Sequence, residues 1–384
     1  MKRRDFLKTA GAASVISFTP LAAHANIANY GNLLILVELK GGNDGLNTVI
    51  PYADAQYTTL RPRIAIARDQ VLQLDAATGL HPSLAPLMPL WQARELAVVQ
   101  SVGYPSANLS HFRSIEIWDT ASKSNEYLQE GWLARAFAHA PTPRSFAADA
   151  VVVGGADMGP AAGGGVRAIA LTDTERFLQQ AKFAAPAAVA AQNGALAHIL
   201  RVEHDIVQAA RGLNAQYSFR TEFPRTGFGN AVRTASQVVA SRGGVAAVRL
   251  TLNGFDTHSG QQGVHVRLLQ DLADGLAALK SALIELNRWN STLIMTYAEF
   301  GRRPRENLSG GTDHGTASAH FVLGGQIKGG LYGLPPALSR LDGNGNPPFA
   351  VDFRDMYATV LERWWGVRSN GILGAKFTPV ALLG

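Results

Sequence analysis

The chain has 384 residues with 47% hydrophobic residues and a mean hydropathy near zero, which excludes disorder as its main state and marks it as globular. It holds no cysteine, so disulfides and thiolate metal sites are excluded and any metal must be held by oxygen and imidazole. The formal net charge is +6, but half of that excess sits in the first 25 residues (Lys2, Arg3, Arg4 and Lys8 against Asp5), and no basic amphipathic stripe or interleaved aromatic platform argues for nucleic acid or lipid.

Arg3-Arg4-Asp5-Phe6-Leu7-Lys8 precedes a mild apolar stretch from Ala10 to Pro20, and Ala23-His24-Ala25 offers small residues where a signal peptidase cuts. This pattern predicts a twin-arginine signal peptide over 1–25, a mature chain starting near Asn26, and export of the folded protein to the periplasm or beyond. The apolar stretch is too short for a transmembrane segment. No composition break divides the remainder, so 26–384 is expected to be a single domain.

Leu33 to Leu39 is an almost unbroken apolar run, as expected of a strand buried on both faces of a mostly parallel sheet. It ends in Gly41-Gly42-Asn43-Asp44-Gly45-Leu46-Asn47, where glycines let the backbone turn tightly. Asp44 there either offers oxygen to a metal, with Asn43 and Asn47 beside it, or closes an Asx turn. Leu80 to Leu90 reads as a helix and Leu96 to Val102 as a second buried strand. The segment from Gly103 then enters a helix running through Trp118. Ser110, at the start of that helix, is either an N-cap or a nucleophile whose alkoxide the helix dipole favours. His111 is its neighbour in a site or an exposed helix residue.

Ala150 to Val153 is a short strand followed by a loop with six glycines in twelve residues, Gly154 to Gly165, read as a mobile loop near the mouth of the site. The Lys-Ser/Thr pair of a phosphate-cradling loop is missing from it. Residues 176–215 read as one or two helices carrying His198 and His204. A helix over Gly229 to Arg242 leads into a third strand, Val245 to Leu252, which ends in Asp256-Thr257-His258. Side chains two apart on extended chain point the same way, so Asp256 and His258 suit one metal. Gln261 to Trp289 is an amphipathic helix with Val264, Leu268, Leu272, Leu276, Leu279 and Leu283 on its apolar face.

The central stretch follows. An apolar run (Leu293, Ile294, Met295) leads into Ala298-Glu299-Phe300-Gly301-Arg302, then a loop ending Gly311-Thr312-Asp313-His314-Gly315, then a second apolar run from Phe321. Acid, base and cation lie between two strands, and in an open α/β sheet the ligand site forms outside the carboxyl ends of the strands. Arg302 either clamps a substrate oxygen or pairs with a neighbouring carboxylate. Val351 to Trp365 is a closing helix, and the last twenty residues read as a short strand and tail.

With these residues laid out, the chain resembles the domain-of-unknown-function family 1501, grouped with the alkaline phosphatase and sulfatase superfamily. The carriers are Lys40 to Asn47, Asn108-Leu109-Ser110-His111-Phe112, Gly254 to His258, Ala298 to Arg302 and Gly311 to Gly315, and the resemblance covers roughly residues 30–382. It implies a doubly wound, mostly parallel α/β sheet flanked by helices, and divalent metals flanking a Ser or Thr nucleophile. By position, Ser110 matches the nucleophile, while Asp44 and Asp256 match metal-binding aspartates, with His258 two residues after Asp256 rather than four. Glu299 takes the place of the next Asp, Phe300 that of a metal-binding His, and His314 matches the last His, with Asp313 an extra oxygen ligand. His111, His265 and His320 are the candidates for the missing imidazole.

The implied function is a periplasmic metal-dependent hydrolase or transferase acting on a phosphate, sulfate or related ester of a small molecule or polymer. Ser110 and Arg302 are its expected catalytic residues, and Asp44, Asp256, His258, Glu299, Asp313 and His314 its expected ligands to zinc, calcium, magnesium or manganese. The alternative is a non-catalytic envelope protein that binds a polymer or assists secretion or assembly. The resemblance also implies a partner protein from domain-of-unknown-function family 1800.

Overall fold

The structure is a computed structural model that describes residues 28–171, 207, 209–213 and 217–383. The expected leader over 1–25, and most of 176–215 with His198 and His204, lie outside these residues.

The apolar run at the start of the mature chain forms β1 (Leu33–Lys40), buried along its length except at Lys40. Its residues alternate between two cores. Leu33, Ile35, Val37 and Leu39 pack on one face of the sheet, while Leu34 and Leu36 pack on the other. A strand covered on both faces gains no stability from polar positions, which is why the sequence shows a run and not an alternation.

Around β1 the sheet also contains β2 (Leu96–Gly103), β3 (Ala148–Val153), β4 (Ala168–Leu171), β5 (Val245–Asn253) and β6 (Thr292–Tyr297). After a small ribbon made of β7 (Gly301–Glu306) and β8 (Thr312–Gly315), the chain re-enters the sheet as β9 (Ser318–Leu323) and β10 (Gly330–Gly333). Strand order is β10-β2-β9-β6-β1-β5-β3-β4. All pairings in this order are parallel except those of β9, which runs antiparallel to both β2 and β6. The helix Gln261–Glu285 covers the first core through Leu269, Leu272 and Leu276, and the helix His111–Thr120 covers the second through Ile117 and Trp118. The expected doubly wound α/β sheet is therefore present.

Several local expectations change. Leu80–Leu90 is not one helix but a strand end, a 3-10 turn over Pro82–Leu87 and a short helix over Met88–Gln92. Pro82, Pro86 and Pro89 each lack the amide that a continuous helix needs. The closing helix is divided into Phe353–Ala358 and a π-turn over Thr359–Trp364. The glycine-rich loop is tied down at Asp157, whose carbonyl accepts from Arg249 at 2.6 Å.

One placement decides where the site lies. β1, β5 and β6 are adjacent and parallel, with Lys40 beside Asn253 and Glu38 beside Tyr297. Their carboxyl ends therefore release the loops at 41, 254 and 298 side by side.

Candidate active site

The three loops are fastened by Arg302, whose side chain is fully buried. Its guanidinium donates to the carbonyls of Gly41, Gly42 (2.7 Å), Phe255 (3.0 Å) and Thr312 (2.9 Å), and to Asp256 Oδ1 at 2.7 Å. Gly41 and Gly42 have positive φ, and a Cβ on either would collide with Asp256 or with the ring of Phe300. The expectation that Arg302 clamps a substrate oxygen is corrected by this arrangement. All three of its nitrogens already donate to carbonyls or to Asp256, so it pairs with a carboxylate and holds loops.

Asp44 is corrected in the same way. It is fully buried and caps its own short helix through Leu46 N–H. Both its oxygens bond Arg61, at 2.6 and 2.9 Å, and Gln261 donates to Oδ2 as well. Burial works to raise this carboxyl, but the guanidinium overcomes it and holds the group below its usual range. Asp44 is half of a buried ion pair.

What gathers at the loop ends is a set of imidazoles around Asp256. His314 lies on β8 directly opposite Arg302 of β7, so both point to the same side of the ribbon. The sequence reading placed His314 in a loop, yet it is this strand pairing that aims it. His314 Nδ1 lies 2.8 Å from Leu109 O. A carbonyl only accepts, so Nδ1 carries the hydrogen and Nε2 carries a lone pair. His111 Nδ1 lies 2.8 Å from Glu299 Oε1, which also accepts from Gly41 N–H. His258 Nδ1 lies 3.5 Å from Asp313 Oδ1. The Asn307 side chain donates to that oxygen and lowers the Asp313 carboxyl below its usual range, so it too is an acceptor. All three imidazoles thus turn Nδ1–H outward and Nε2 inward.

The inward atoms meet. His258 Nε2 and His314 Nε2 are 2.9 Å apart, and Asp256 Oδ1 is 3.1 Å from the first and 3.3 Å from the second. His111 Nε2 is 3.4 Å from Asp256 Oδ2. Burial works to raise the Asp256 carboxyl, but the Arg302 guanidinium bonded to it holds it at about 2. Burial also depresses His314 below its usual value, against Leu109 O and Asp256, which favours the neutral ring. Two lone pairs at hydrogen-bond distance with no proton between them repel, so the arrangement suits a shared cation. Ligands held tetrahedrally at about 2.0–2.2 Å from one ion stand roughly 3.3–3.6 Å apart, and the atoms here lie 2.9, 3.1, 3.3 and 3.4 Å from one another, a set that an ion would spread slightly. His111, Asp256 and His314 form the one cluster of metal-binding type among the described residues, with His258 at its edge.

Glu299 and Asp313, expected as ligands, are therefore placed one bond further out, as the groups that fix the tautomers of His111 and His258. Asp313→Ala is expected to weaken metal binding by about 10–100-fold while leaving the fold intact, measured by competition with a chelator. Loss of the ion altogether would make Asp313 a ligand after all.

Phe300, which stands where the resemblance places a histidine, packs its ring 4.3 Å from that of His314 and 4.9 Å from that of His111, forming the floor beneath them. Of the three histidines left open by the sequence, His111 is the one that lies in the cluster. The other two candidates do not reach the cluster: His265 bonds Asn43 at 2.9 Å, and His320 is buried against Trp118.

Ser110 takes the N-cap position of the helix His111–Thr120 but makes no cap bond, and its hydroxyl has no partner among the described residues. It is exposed, one residue from a cluster member.

Residues 65–371 match the family described as "Protein of unknown function (DUF1501)". No curated protein matches the chain in sequence. Among solved structures, the crystal structure of Ps i-CgsB is similar with a TM-score of 0.41 and 10% identity, covering 90% of this chain and 75% of that one. The lipoteichoic acid synthase LtaP from Listeria monocytogenes is similar with a TM-score of 0.36 and 9% identity, covering 80% and 68%. A TAB5 alkaline phosphatase mutant with bound Mg has a TM-score of 0.37 and 11% identity, covering 79% and 94%. No residue role is taken from likenesses of this size.

Proposed function

The chain belongs to the DUF1501 family, whose description assigns no reaction, and from that premise we propose a function read from its own side chains: a metal-dependent hydrolase or transferase acting on a phosphate, sulfate or related ester. The observation that carries the metal is the approach of His258 Nε2 and His314 Nε2 to 2.9 Å beside Asp256. We assign His111, Asp256, His258 and His314 as the ligands of one divalent ion. Three imidazoles and one carboxylate favour zinc over the oxygen-seeking calcium and magnesium, with manganese next. One ion per chain is expected, because Asp44, the other candidate ligand at a strand end, is neutralised by Arg61.

Such an ion supplies a Lewis acid that lowers the pKa of a nearby hydroxyl and offsets charge on the ester oxygens. Ser110 presents a hydroxyl without a partner among the described residues at a helix N-terminus, where a developing alkoxide is favoured. Its Oγ forms a bond to phosphorus or sulfur as the bond to the leaving alcohol oxygen breaks, and water or a second alcohol then displaces the serine oxygen. Glu299 and Asp313 keep the imidazoles in one tautomer throughout, and Arg302 keeps the loops from drifting apart.

We place the enzyme in the periplasm or outside the cell, exported by the twin-arginine pathway. Its substrate would be a small or polymeric ester, and its protein partner a member of domain-of-unknown-function family 1800. No described helix is long and apolar enough to cross a membrane.

Ser110→Ala is expected to keep its metal and fold while losing ester cleavage by at least about 10³-fold, measured with aryl phosphate and aryl sulfate substrates. A variant that retains full activity removes the serine from the mechanism. Wild-type protein that loads metal but cleaves no ester supports the non-catalytic envelope role instead.

A further inference from the structure

The ribbon that aims His314 also carries the run Arg302-Arg303-Pro304-Arg305, and two of these arginines have no task in the centre described above. Arg302 and Pro304 are buried, whereas Arg303 is half-buried and Arg305 is exposed. Alternation along the strand therefore turns Arg303 and Arg305 outward together.

A bulge crowds them. Arg302 pairs with His314 and Glu306 with Thr312, so Arg303, Pro304 and Arg305 stand against Asp313 alone. The bulge is pinned: the buried Arg61 donates to the carbonyls of Arg303 at 3.1 Å and of Pro304 at 2.7 Å. Asp313 in turn lies beside His258, which places this stretch of β7 at the rim of the imidazole cluster.

Neither outward arginine has a counter-charge among the described residues, because the acids around them are engaged elsewhere. Asp313 bonds Asn307 and approaches His258, Glu306 bonds Arg63 and the amide of Ile64, and Asp342 bonds the amides of Asn344 and Asn346. Hydrogen bonds from the Asn307 side chain and the Asn346 amide are the main cause that lowers the Asp313 and Asp342 carboxyls, and the charge of Arg303 adds to both without forming an ion pair. Arg113, Arg288 and Arg303 each bury an Nε that has no partner. Arg113 and Arg288 still donate to carbonyls through another nitrogen, while Arg303 donates to nothing among the described residues. A half-buried guanidinium in that state has lost hydration without compensation, and an anion at its terminal nitrogens would restore the balance.

We propose that Arg303 and Arg305 form an anion-binding edge that takes a further acidic group, a sulfate, phosphate or carboxylate, of a substrate whose scissile ester lies at the imidazoles. That the anion belongs to a substrate rests on the ester reading, whereas binding at the edge needs no catalysis. The substrate class narrows to esters that carry at least one additional negative charge.

Fluorescent dextran sulfate is a suitable probe, with uncharged dextran as comparison, followed by anisotropy on the full chain at physiological ionic strength. Dextran sulfate is expected to bind and dextran to leave the signal unchanged. The double variant Arg303→Gln/Arg305→Gln should weaken binding about 10-fold, roughly 3-fold for each lost charge pair. Arg242→Gln/Lys328→Gln removes the same charge from exposed positions at the amino end of the parallel strands, beyond the reach of unscreened attraction, and should weaken binding less than about 2-fold. Arg303→Lys/Arg305→Lys should retain most of the affinity. If the glutamine pair fails to fold, Arg305→Gln alone reads the edge through a residue that supports nothing, with a loss of about 3-fold. No binding of dextran sulfate to wild-type protein, equal losses in the two charge-removed pairs, or equal binding of dextran overturns the proposal. Aryl sulfate and aryl phosphate cleavage by the same samples reports on the ester reading separately: protein that binds dextran sulfate through these arginines and cleaves no ester leaves the edge standing and removes the substrate role.

Discussion

His314→Ala is expected to empty the proposed metal centre. In wild-type protein about one divalent ion per chain is expected by elemental mass spectrometry, and in the variant essentially none, with ester cleavage falling by at least about 10³-fold because the Lewis acid is gone. The loss should be near total, since His314 Nε2 contacts both His258 Nε2 and Asp256. Removing it dismantles the triangle of donors and leaves no second pair at that spacing. The fold should survive, because Arg302 fastens the same loops without any ion. Circular dichroism and a thermal melt separate the two effects. A variant that still holds one ion per chain would mean that the ligands lie elsewhere.

Asp44→Ala produces the opposite pattern. It is expected to destabilise the protein by about 3–5 kcal/mol, the cost of leaving a buried charge without its partner, while the folded fraction keeps its metal. Arg61 would retain bonds to Asn47 and to the carbonyl of Pro304, but no counter-charge. Urea denaturation reads the stability and metal content per folded chain reads the site. Replacing both partners by apolar residues should cost less than the sum of the single changes, because the two charges are removed together. If Asp44→Ala loses metal while keeping its stability, the carboxylate is a ligand and the reading of the ion pair is wrong.

The contrast between these two residues shows what could be read from the chain. Leu33–Lys40 was legible as a strand buried on both faces because such burial leaves an almost unbroken apolar run, and Val245–Asn253 and Thr292–Tyr297 were legible as strands from their shorter apolar runs. The loops after them were legible because Gly-Gly, Asp-Thr-His and Glu-Phe-Gly do not continue a strand. Which acid does what was not. Asp44 meets Arg61 through a turn and a short helix whose packing has no period to betray it, and Glu299 meets His111 across 188 positions. His314 was misplaced in a loop since Thr312–Gly315 is a strand of four residues, too short to show alternation. The broken helix after Leu80 was a different kind of miss. Its three prolines were in plain view and ought to have outweighed the leucine spacing.

The bonds of Arg302 to the carbonyls of Gly41, Gly42, Phe255 and Thr312 make the frame of the site independent of its contents. In small metal-nucleated domains the ion is the keystone, and exchanging a ligand unfolds the chain. Here the imidazoles hang from a frame that closes by itself. Over evolutionary time, substitutions at His111, His258 or His314 can therefore alter or abolish binding at the proposed centre without first passing through an unfoldable intermediate. A lineage built this way is free to drift between chemistries, and between catalysis and plain binding, while its architecture stays fixed.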